Sequence, residues 1–210
     1  FVSGASDNAT IVGNLTITGT NRIEVTIDNA TTNRAVISYV FDASGEQMNI
    51  TQLNLTRTGT AGTNDILAVG LFNSTSTDTD YSGEETLITW NYSAPRADGT
   101  YNFTGLGYNV TTSDSTLFIV INLTSSATAG NTIGFKLSPT ANITVTSSVS
   151  TQAITPTLVT TSSDNATIVA LSITGTNDTA LTLTVGLRNV SMIRYNFSAR
   201  GNTTNVTYIN

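Results

Sequence analysis

The stretch QMNITQLNLTR, residues 47–57, places two Asn-X-Ser/Thr sequons in one short segment, each with a large apolar residue at its centre. Successive side chains on a β-strand point to opposite faces, so Asn and Thr face outward where Ile50 or Leu55 faces the core. These two apolar residues are an odd number of positions apart. Both can face inward only if the strand contains a bulge, which we predict near Gln52. The stretch therefore predicts a strand with one polar and one buried face.

The same pattern recurs along the whole chain. Seventeen of the 22 asparagines lie in sequons, and none of these sequons has proline at its centre. Eleven central residues are large and apolar: Leu15, Ile50, Leu55, Tyr92, Phe103, Val110, Leu123, Ile143, Val190, Phe197 and Val206. Because N-glycans are added during export and must face solvent, the pattern indicates an extracellular protein with a glycan coat on its strands. The predicted glycosylation sites are Asn8, Asn14, Asn29, Asn49, Asn54, Asn73, Asn91, Asn102, Asn109, Asn122, Asn142, Asn165, Asn177, Asn189, Asn196, Asn202 and Asn205.

Short alternating segments separated by turn residues predict an all-β fold, an immunoglobulin-like or pilin-like β-sandwich, with no convincing helix. Predicted strands cover residues 8–18, 22–28, 35–42, 47–57, 66–72, 86–93, 100–104, 116–124, 132–137, 141–147, 153–160, 166–174, 180–187, 190–198 and 203–209. Residues 66–72 and 117–121 are apolar on both faces and are expected in the interior of a sheet.

Composition excludes several classes of function. The 210 residues include no histidine and no cysteine, so a Ser-His or Cys-His nucleophile and the common zinc sites are absent. A pair of carboxylates could still hydrolyse glycosides, but we predict a protein that is not an enzyme and has no cofactor besides covalent N-glycans. The net charge of −6, without a basic cluster, disfavours nucleic acid. No apolar run reaches the length of a membrane span.

Two smaller features have both a functional and a structural interpretation. The acidic stretch with Asp78, Asp80, Glu84 and Glu85 offers oxygen ligands for a cation such as Ca²⁺, but a solvated acidic turn fits better because the spacing misses the EF-hand pattern. Trp90 could stack on a sugar, but it shares its parity with Ile88 and Tyr92, which favours packing in the core.

The chain contains an internal repeat. SDNATIVGNLTITGTN, residues 6–21, returns as SDNATIVALSITGTN, residues 163–177. The one-residue difference reverses the side-chain parity beyond it, so we expect the copies to pair differently. Both copies could be ordinary sheet strands left by a duplication. Alternatively, the first copy is a donor strand that enters a groove in a neighbouring subunit, a form of β-augmentation.

The donor-strand hypothesis defines the domains. Ala9 and Ile11, together with Phe1 and Val2, would fill the groove of the neighbour, while Asn8 and Asn14 stay outside. Gly13 provides a hinge. Residues 1–12 are then the donor tail and residues 13–210 a single sandwich domain.

A cysteine-free, sequon-rich β protein with an N-terminal apolar strand, few charges and one lysine resembles the archaeal thread pilins of thermoacidophiles. The resemblance implies extracellular sandwich subunits, similar to bacterial type 1 pilins, that join head to tail by donor strand complementation. We therefore expect a homopolymeric filament on the cell surface that serves adhesion or biofilm formation. A secreted glycan-binding adhesin and an S-layer or cell-wall component are the alternatives.

Overall fold

The computed structural model describes the backbone of residues 13–74, 80–113, 115–137, 139–177 and 193–200, and the side chains of these residues except 171–177 and 193–200. The described chain is all-β. Its strands are β1 (Asn14–Asn21), β2 (Thr26–Asp28), β3 (Arg34–Ser44), β4 (Met48–Thr58), β5 (Ile66–Ser74), β6 (Thr86–Asn91), β7 (Thr100–Val110), β8 (Ser115–Leu123), β9 (Thr132–Lys136), β10 (Ile143–Ser147), β11 (Ala153–Ile154), β12 (Thr157–Val159), β13 (Ala166–Asn177) and β14 (Ile193–Arg200). Within these ranges the only helical element is a 3₁₀ turn at Thr140–Asn142.

The strands form the two sheets of a sandwich. The first sheet has the order β12-β1-β3-β8-β5-β6. The second has the order β11-β10-β4-β9-β13-β14, with β7 paired to β4 and β2 paired to β13. Most neighbours are antiparallel, but β1 with β12 and β13 with β2 run parallel.

The core lies between the two sheets. Each sheet contributes fully buried side chains, among them Tyr39 and Phe41 from the first and Leu53 and Phe135 from the second. Strand β8 is buried on both faces, since its outward residues pack in a second cluster formed by Ala35, Phe72, Phe118 and Val120. The interior position expected for residues 66–72 and 117–121 is confirmed, because β5 lies between β8 and β6 and β8 between β3 and β5.

The predicted bulge is present. The pairing of β4 with β7 passes from Ile50↔Tyr108 to Gln52↔Thr104, and the pairing of β4 with β10 shifts at the same place. The shift lets Ile50, Leu53 and Leu55 all be buried. The alternating sequon pattern therefore predicted both the strand and its irregularity.

The expectation that the two repeat copies pair differently is wrong for their second halves. Strand β1 pairs with β3 from Asn14↔Ser44 onward, and β13 pairs with β14 in the equivalent way from Ala170↔Arg200 onward. Each copy thus runs antiparallel to a later strand of the chain, and that pairing fixes the register. In sequence, the one-residue difference precedes these paired residues.

Candidate strand-acceptor groove and glycosylation sites

The first part of β13 lies between two strands that are distant in sequence. Ala166 and Thr167 pair antiparallel with Ile133 and Thr132 of β9. On the other side, Thr167 to Val169 pair parallel with Thr26 to Asp28 of β2. We call this slot between β9 and β2 the acceptor groove. The strand inside it is bonded on both edges, so it completes the sheet.

Backbone hydrogen bonds hold the strand along its length. The Thr167 amide donates to the Val25 carbonyl at 2.9 Å, and the Asn29 amide donates to the Val169 carbonyl at 2.9 Å. On the opposite side the Ile168 amide donates to Asn131 O at 2.8 Å and its carbonyl accepts from Gly130 N at 2.9 Å. Main-chain bonds of this kind supply affinity in strand addition, while the alternate side chains supply specificity.

The alternate side chains of the strand fill the core. Ala166 and Ile168 are fully buried, whereas Asp164 and Asn165 are exposed. Beside the strand, Gly134 of β9 leaves no room for a side chain, since a Cβ there would lie 2.4 Å from Asn165 Oδ1 and 2.5 Å from the Asp164 carbonyl oxygen. Only glycine allows the two backbones to approach this closely.

Polar contacts fix the entry of the strand into the groove. The Asn21 side-chain amide donates to the Asp164 carboxylate at 3.0 Å, and the Asp164 backbone amide donates to Asn21 Oδ1 at 3.0 Å. The Ser163 hydroxyl accepts from the Phe135 amide at 2.9 Å. Asn21 ends the first repeat copy and Asp164 is the second residue of the second copy, so the two copies contact each other here.

A buried carboxylate supports the loop that borders the groove. Asp65 is 3% exposed and accepts hydrogen bonds from Gly62 N at 2.6 Å, Thr128 N at 2.8 Å and Asn131 Nδ2 at 2.9 Å. Burial alone would raise the pKa of the Asp65 carboxyl, but these hydrogen bonds outweigh it and hold the pKa below its ordinary value. Because Gly130 and Asn131 bond the strand, Asp65 positions one wall of the groove.

The predicted donor residues Phe1, Val2, Ala9 and Ile11 lie outside the described residues. Their repeat counterparts do not, because residues 6–12 and 163–169 are the same seven residues, SDNATIV. Ala9 corresponds to Ala166 and Ile11 to Ile168, both of which are buried in the groove. Asn8 corresponds to Asn165, which is exposed.

Most described sequon asparagines are accessible. Asn14, Asn109 and Asn165 are exposed, and seven others are half-buried: Asn29, Asn49, Asn73, Asn91, Asn102, Asn122 and Asn142. Asn54 is buried. The side chains of the other six predicted sites lie outside the described residues: Asn8, Asn177, Asn189, Asn196, Asn202 and Asn205. The coat of potential glycans is therefore spread over both sheets.

Asn54 differs from the outward orientation that the sequon pattern predicts. Its side chain is 7% exposed, and its Oδ1 has no hydrogen-bond partner. Asn54 lies in the middle of β4, directly opposite Asn102 of β7, with further strands along the other edge of β4. The burial of Asn54 depends on its surroundings in the folded sheet, which a single-strand pattern does not reveal.

The large apolar residues at the centres of the sequons are buried where described, with one exception. Leu15, Phe103 and Val110 are in the core, for example, but Tyr92 is 67% exposed. Strand β6 ends at Asn91, so the alternation no longer applies at Tyr92. The prediction that Tyr92 faces the core is wrong.

Trp90 also lies outside the main core. It packs on the second cluster, with its ring 5.4 Å from that of Phe72 and nearly perpendicular to it. Tyr81 packs on the same cluster and borders a cleft of about 520 Å³ that also contains Arg22, Arg34 and Asp80. The aromatic rings pack mainly on one another on the outer face of the first sheet.

The acidic stretch is partly described. Asp78 lies outside the described residues, Asp80 forms a 2.9 Å ion pair with Arg22, and Glu84 is exposed. Glu85 accepts hydrogen bonds from the amides of Ser82 and Gly83, each at 2.8 Å, and so stabilises its own turn. Over the described ranges no three acidic side chains converge on a common point.

Sequence reasoning identified the strand but not the groove. The groove walls come from β2, β9 and two loops that are far apart in sequence, and no local pattern connects them. Gly134, within an apolar run, was the one available signal of a close backbone approach.

Comparisons with known proteins show similarity at the level of structure alone. No protein-family model and no curated protein matches the chain. Eight chains of solved structures match. One is the sixth cohesin of Acetivibrio cellulolyticus scaffoldin B, solved with a variant Cel5 dockerin, at 11% identity and a TM-score of 0.30 over 74% of this chain and 97% of that one. Another is AvmM, which catalyses macrocyclization in alchivemycin A biosynthesis, at 9% identity and a TM-score of 0.32 over 94% and 92% of the two chains.

In the described part of the chain, no helix has the length and apolar character needed to cross a membrane.

Proposed function

We propose that this protein is a non-enzymatic structural subunit of an extracellular, N-glycosylated surface filament, in which sandwich domains join head to tail by a strand passed from one copy to another. The single observation that carries the proposal is the acceptor groove. It holds SDNATIV at residues 163–169, and the same seven residues precede the domain at residues 6–12.

Sequence identity makes residues 6–12 a fitting occupant of the same groove in another copy. Ala9 and Ile11 would take the buried positions of Ala166 and Ile168, and Asp7 would reach the Asn21 of that copy as Asp164 does here. Every side-chain and main-chain contact of the strand is thus available to the donor segment. No new complementarity is required.

The geometry of such an exchange favours a linear polymer. The donor segment precedes β1, whereas the groove is formed by β2 and β9, so donor and acceptor are different surfaces of the domain. A heterologous interface of this kind gives open filaments unless the rotation between subunits closes a ring. Exchange of identical segments costs little, because the donor forms the same hydrogen bonds and buries the same side chains as the resident strand that it replaces.

The glycan coat is consistent with this mode of assembly. Sequon asparagines on both sheets would hinder contact between sandwich faces. A strand that enters the interior of a sheet forms its contacts beneath that coat. The expected partners are therefore identical subunits, and the expected location is the cell surface.

Electron microscopy of the exported full-length chain and of an Ile11→Asp variant tests the proposal. The substitution puts a carboxylate at a position that would be buried in the acceptor, while Ile168 and the resident strand stay intact. We expect filaments from the unsubstituted chain and discrete particles, with unchanged thermal stability, from the variant. A matched control is Val25→Asp, an 81% exposed valine beside the groove, which should leave filaments intact.

Two results would contradict the proposal. Filaments from Ile11→Asp as long as those of the unsubstituted chain would exclude strand donation by residues 6–12. Discrete particles from the unsubstituted chain, under all conditions of pH and concentration tested, would exclude a filament subunit and favour the adhesin or wall-component alternatives.

A further inference from the structure

The internal repeat extends beyond the two copies at residues 6–21 and 163–177. When residues 13–54 are placed on residues 169–210 at a constant offset of 156, the two segments align without a gap and 16 of 42 residues are identical. The identical residues include Leu15 and Leu171, Tyr39 and Tyr195, and Phe41 and Phe197. The similarity thus continues through β3 and into β4 of the sandwich.

The match is concentrated at positions that the fold requires. Leu15, Ile17, Ile37, Tyr39, Phe41 and Ala43 are buried in the core, and each has an identical residue 156 positions later. Two glycines that the backbone requires are also kept. A Cβ on Gly19 would lie 2.2 Å from the Thr160 carbonyl oxygen, and Gly45 has a φ of +87°. The residues that correspond to Gly19 and Gly45 in the second copy are Gly175 and Gly201.

The backbone provides independent support. All eight paired positions of β1 with β3, from Asn14↔Ser44 to Asn21↔Ile37, have counterparts in β13 with β14, from Ala170↔Arg200 to Asn177↔Ile193. The offset is 156 on both strands. Sequence alignment and strand register therefore match the same residues of the two copies. The register is a separate observation, because it comes from strand pairing and not from residue identity.

From these observations we infer that Ala170–Asn177 and Ile193–Arg200 are the counterparts of β1 and β3 in a second sandwich domain of the same fold, and that β13 belongs to both domains. Ala166–Val169 is the last strand of the first domain, and Ala170–Asn177 is the first strand of the second. The first domain then covers residues 13–169 and ends inside a strand, in place of the single domain over residues 13–210 that the sequence predicted.

The arrangement identifies the partner of the SDNATIV segment as a further copy of this domain. The segment closes the domain before it and leads, without a linker, into the domain after it. Successive domains are then joined by one continuous strand, which restricts the angle between them more than a flexible linker does. The inference stands on the repeat and the register, so it holds even for a chain that forms no filament.

Completion of the second domain tests the inference. Residues 55–169 are appended after Asn210 of the full chain, which supplies the counterpart of everything that follows β4 in the first domain. We expect the calorimetric enthalpy of unfolding to about double, because that enthalpy scales with the number of folded residues. A matched control carries the same appended residues directly after Val169, without residues 170–210, and should keep the enthalpy of one domain.

Either of two results would overturn the inference. An enthalpy that does not rise in the completed chain shows that residues 170–210 cannot start the domain. An equal rise in the control shows that they are not needed. Failure of the filament test leaves this outcome unaffected, since calorimetry measures folding and microscopy measures assembly.

Disulfide formation in the chain of 210 residues, without any appended segment, gives a second measurement. The chain has no cysteine, so introduced pairs report on single contacts. A Thr174→Cys/Asn196→Cys pair should crosslink as readily as Thr18→Cys/Val40→Cys, its counterpart in the first strand pair. A Thr174→Cys/Tyr195→Cys pair, one residue out of register, should not, because adjacent side chains point to opposite faces. Crosslinking of the 18/40 pair without that of the 174/196 pair would contradict the inference.

Discussion

Truncation of Ile168 to alanine should measure how much the strand in the groove contributes to the sandwich. Ile168 is fully buried at the centre of the groove, opposite Ile27 of β2. Isoleucine-to-alanine substitutions at such sites remove buried carbons and leave a cavity, so we expect a loss of about 3 kcal/mol in the free energy of unfolding. In a domain of this size that loss lowers the melting temperature by about 6–12 °C.

The adjacent valine is a matched control. Val169 lies on the same strand, keeps its backbone bond to Asn29, and is half-buried. Val169→Ala removes two partly exposed carbons and should cost about 1 kcal/mol. Denaturant unfolding monitored by tryptophan fluorescence gives both free energies, and an unchanged denaturant slope shows that the unfolding transition is the same.

The comparison can refute the interpretation of the groove. If Ile168→Ala costs no more than Val169→Ala, the strand does not contribute to the core of the domain, and its pairing with β2 and β9 has little energetic weight. If the Ile168→Ala loss appears as a separate early transition, the strand leaves the groove before the rest of the sandwich unfolds.

Gly134 in the wall of the groove, the sequons and the buried carboxylate of Asp65 each give a further prediction. Gly134→Ala should destabilise the domain by about 1–3 kcal/mol, because its Cβ collides with the Asp164–Asn165 backbone and side chain, whereas Gly62→Ala, whose Cβ would meet Asp65 only at 3.7 Å, should cost nothing measurable in thermal unfolding. Glycopeptide mass spectrometry should find Asn54 unmodified and Asn14, Asn109 and Asn165 modified, since Asn54 is buried; full occupancy of Asn54 would show that β4 packs differently. The Asp65 carboxyl has a lowered pKa in the folded state, so its stabilising contribution is complete above the unfolded pKa of about 3.9 and is lost as the pH falls through the folded value. Asp65→Asn should therefore lower stability at neutral pH and flatten its decline below about pH 4 in urea titrations, and a decline as steep as that of the unsubstituted chain would contradict this role.

Within the described residues the sequence was sufficient to locate the strands, because alternation is a local property; the predicted strands over residues 180–187 and 203–209 lie outside the described residues. Side chains at i and i+2 share a face of a strand whatever the strand packs against, so Ile50 and Leu55 together indicated both β4 and its bulge. The same logic failed where a strand stops, as at Tyr92, and at Asn54, a sequon residue that is buried within the sheet.

The acceptor groove illustrates what local patterns leave out. Residues 166–174 were predicted as a strand, but the residues that pair with its start, Val25, Asn131 and Ile133, come from segments remote along the chain. The order of all strands in the sheet decides which strand edge accepts another strand. Many strand orders are compatible with the same alternation of polar and apolar residues.

By itself, the sequence determined the all-β class, the polar and apolar faces of the strands, the wide distribution of sequons and the duplication of SDNATIV. These are consequences of side-chain period and residue identity, and they need no knowledge of partners. Only the tertiary structure decided that the second SDNATIV fills a groove between β2 and β9, and that the residues after it pair as β1 pairs with β3. The pairing of strands depends on the tertiary structure, because a strand gains most of its stability from neighbours that are close in space and remote in sequence.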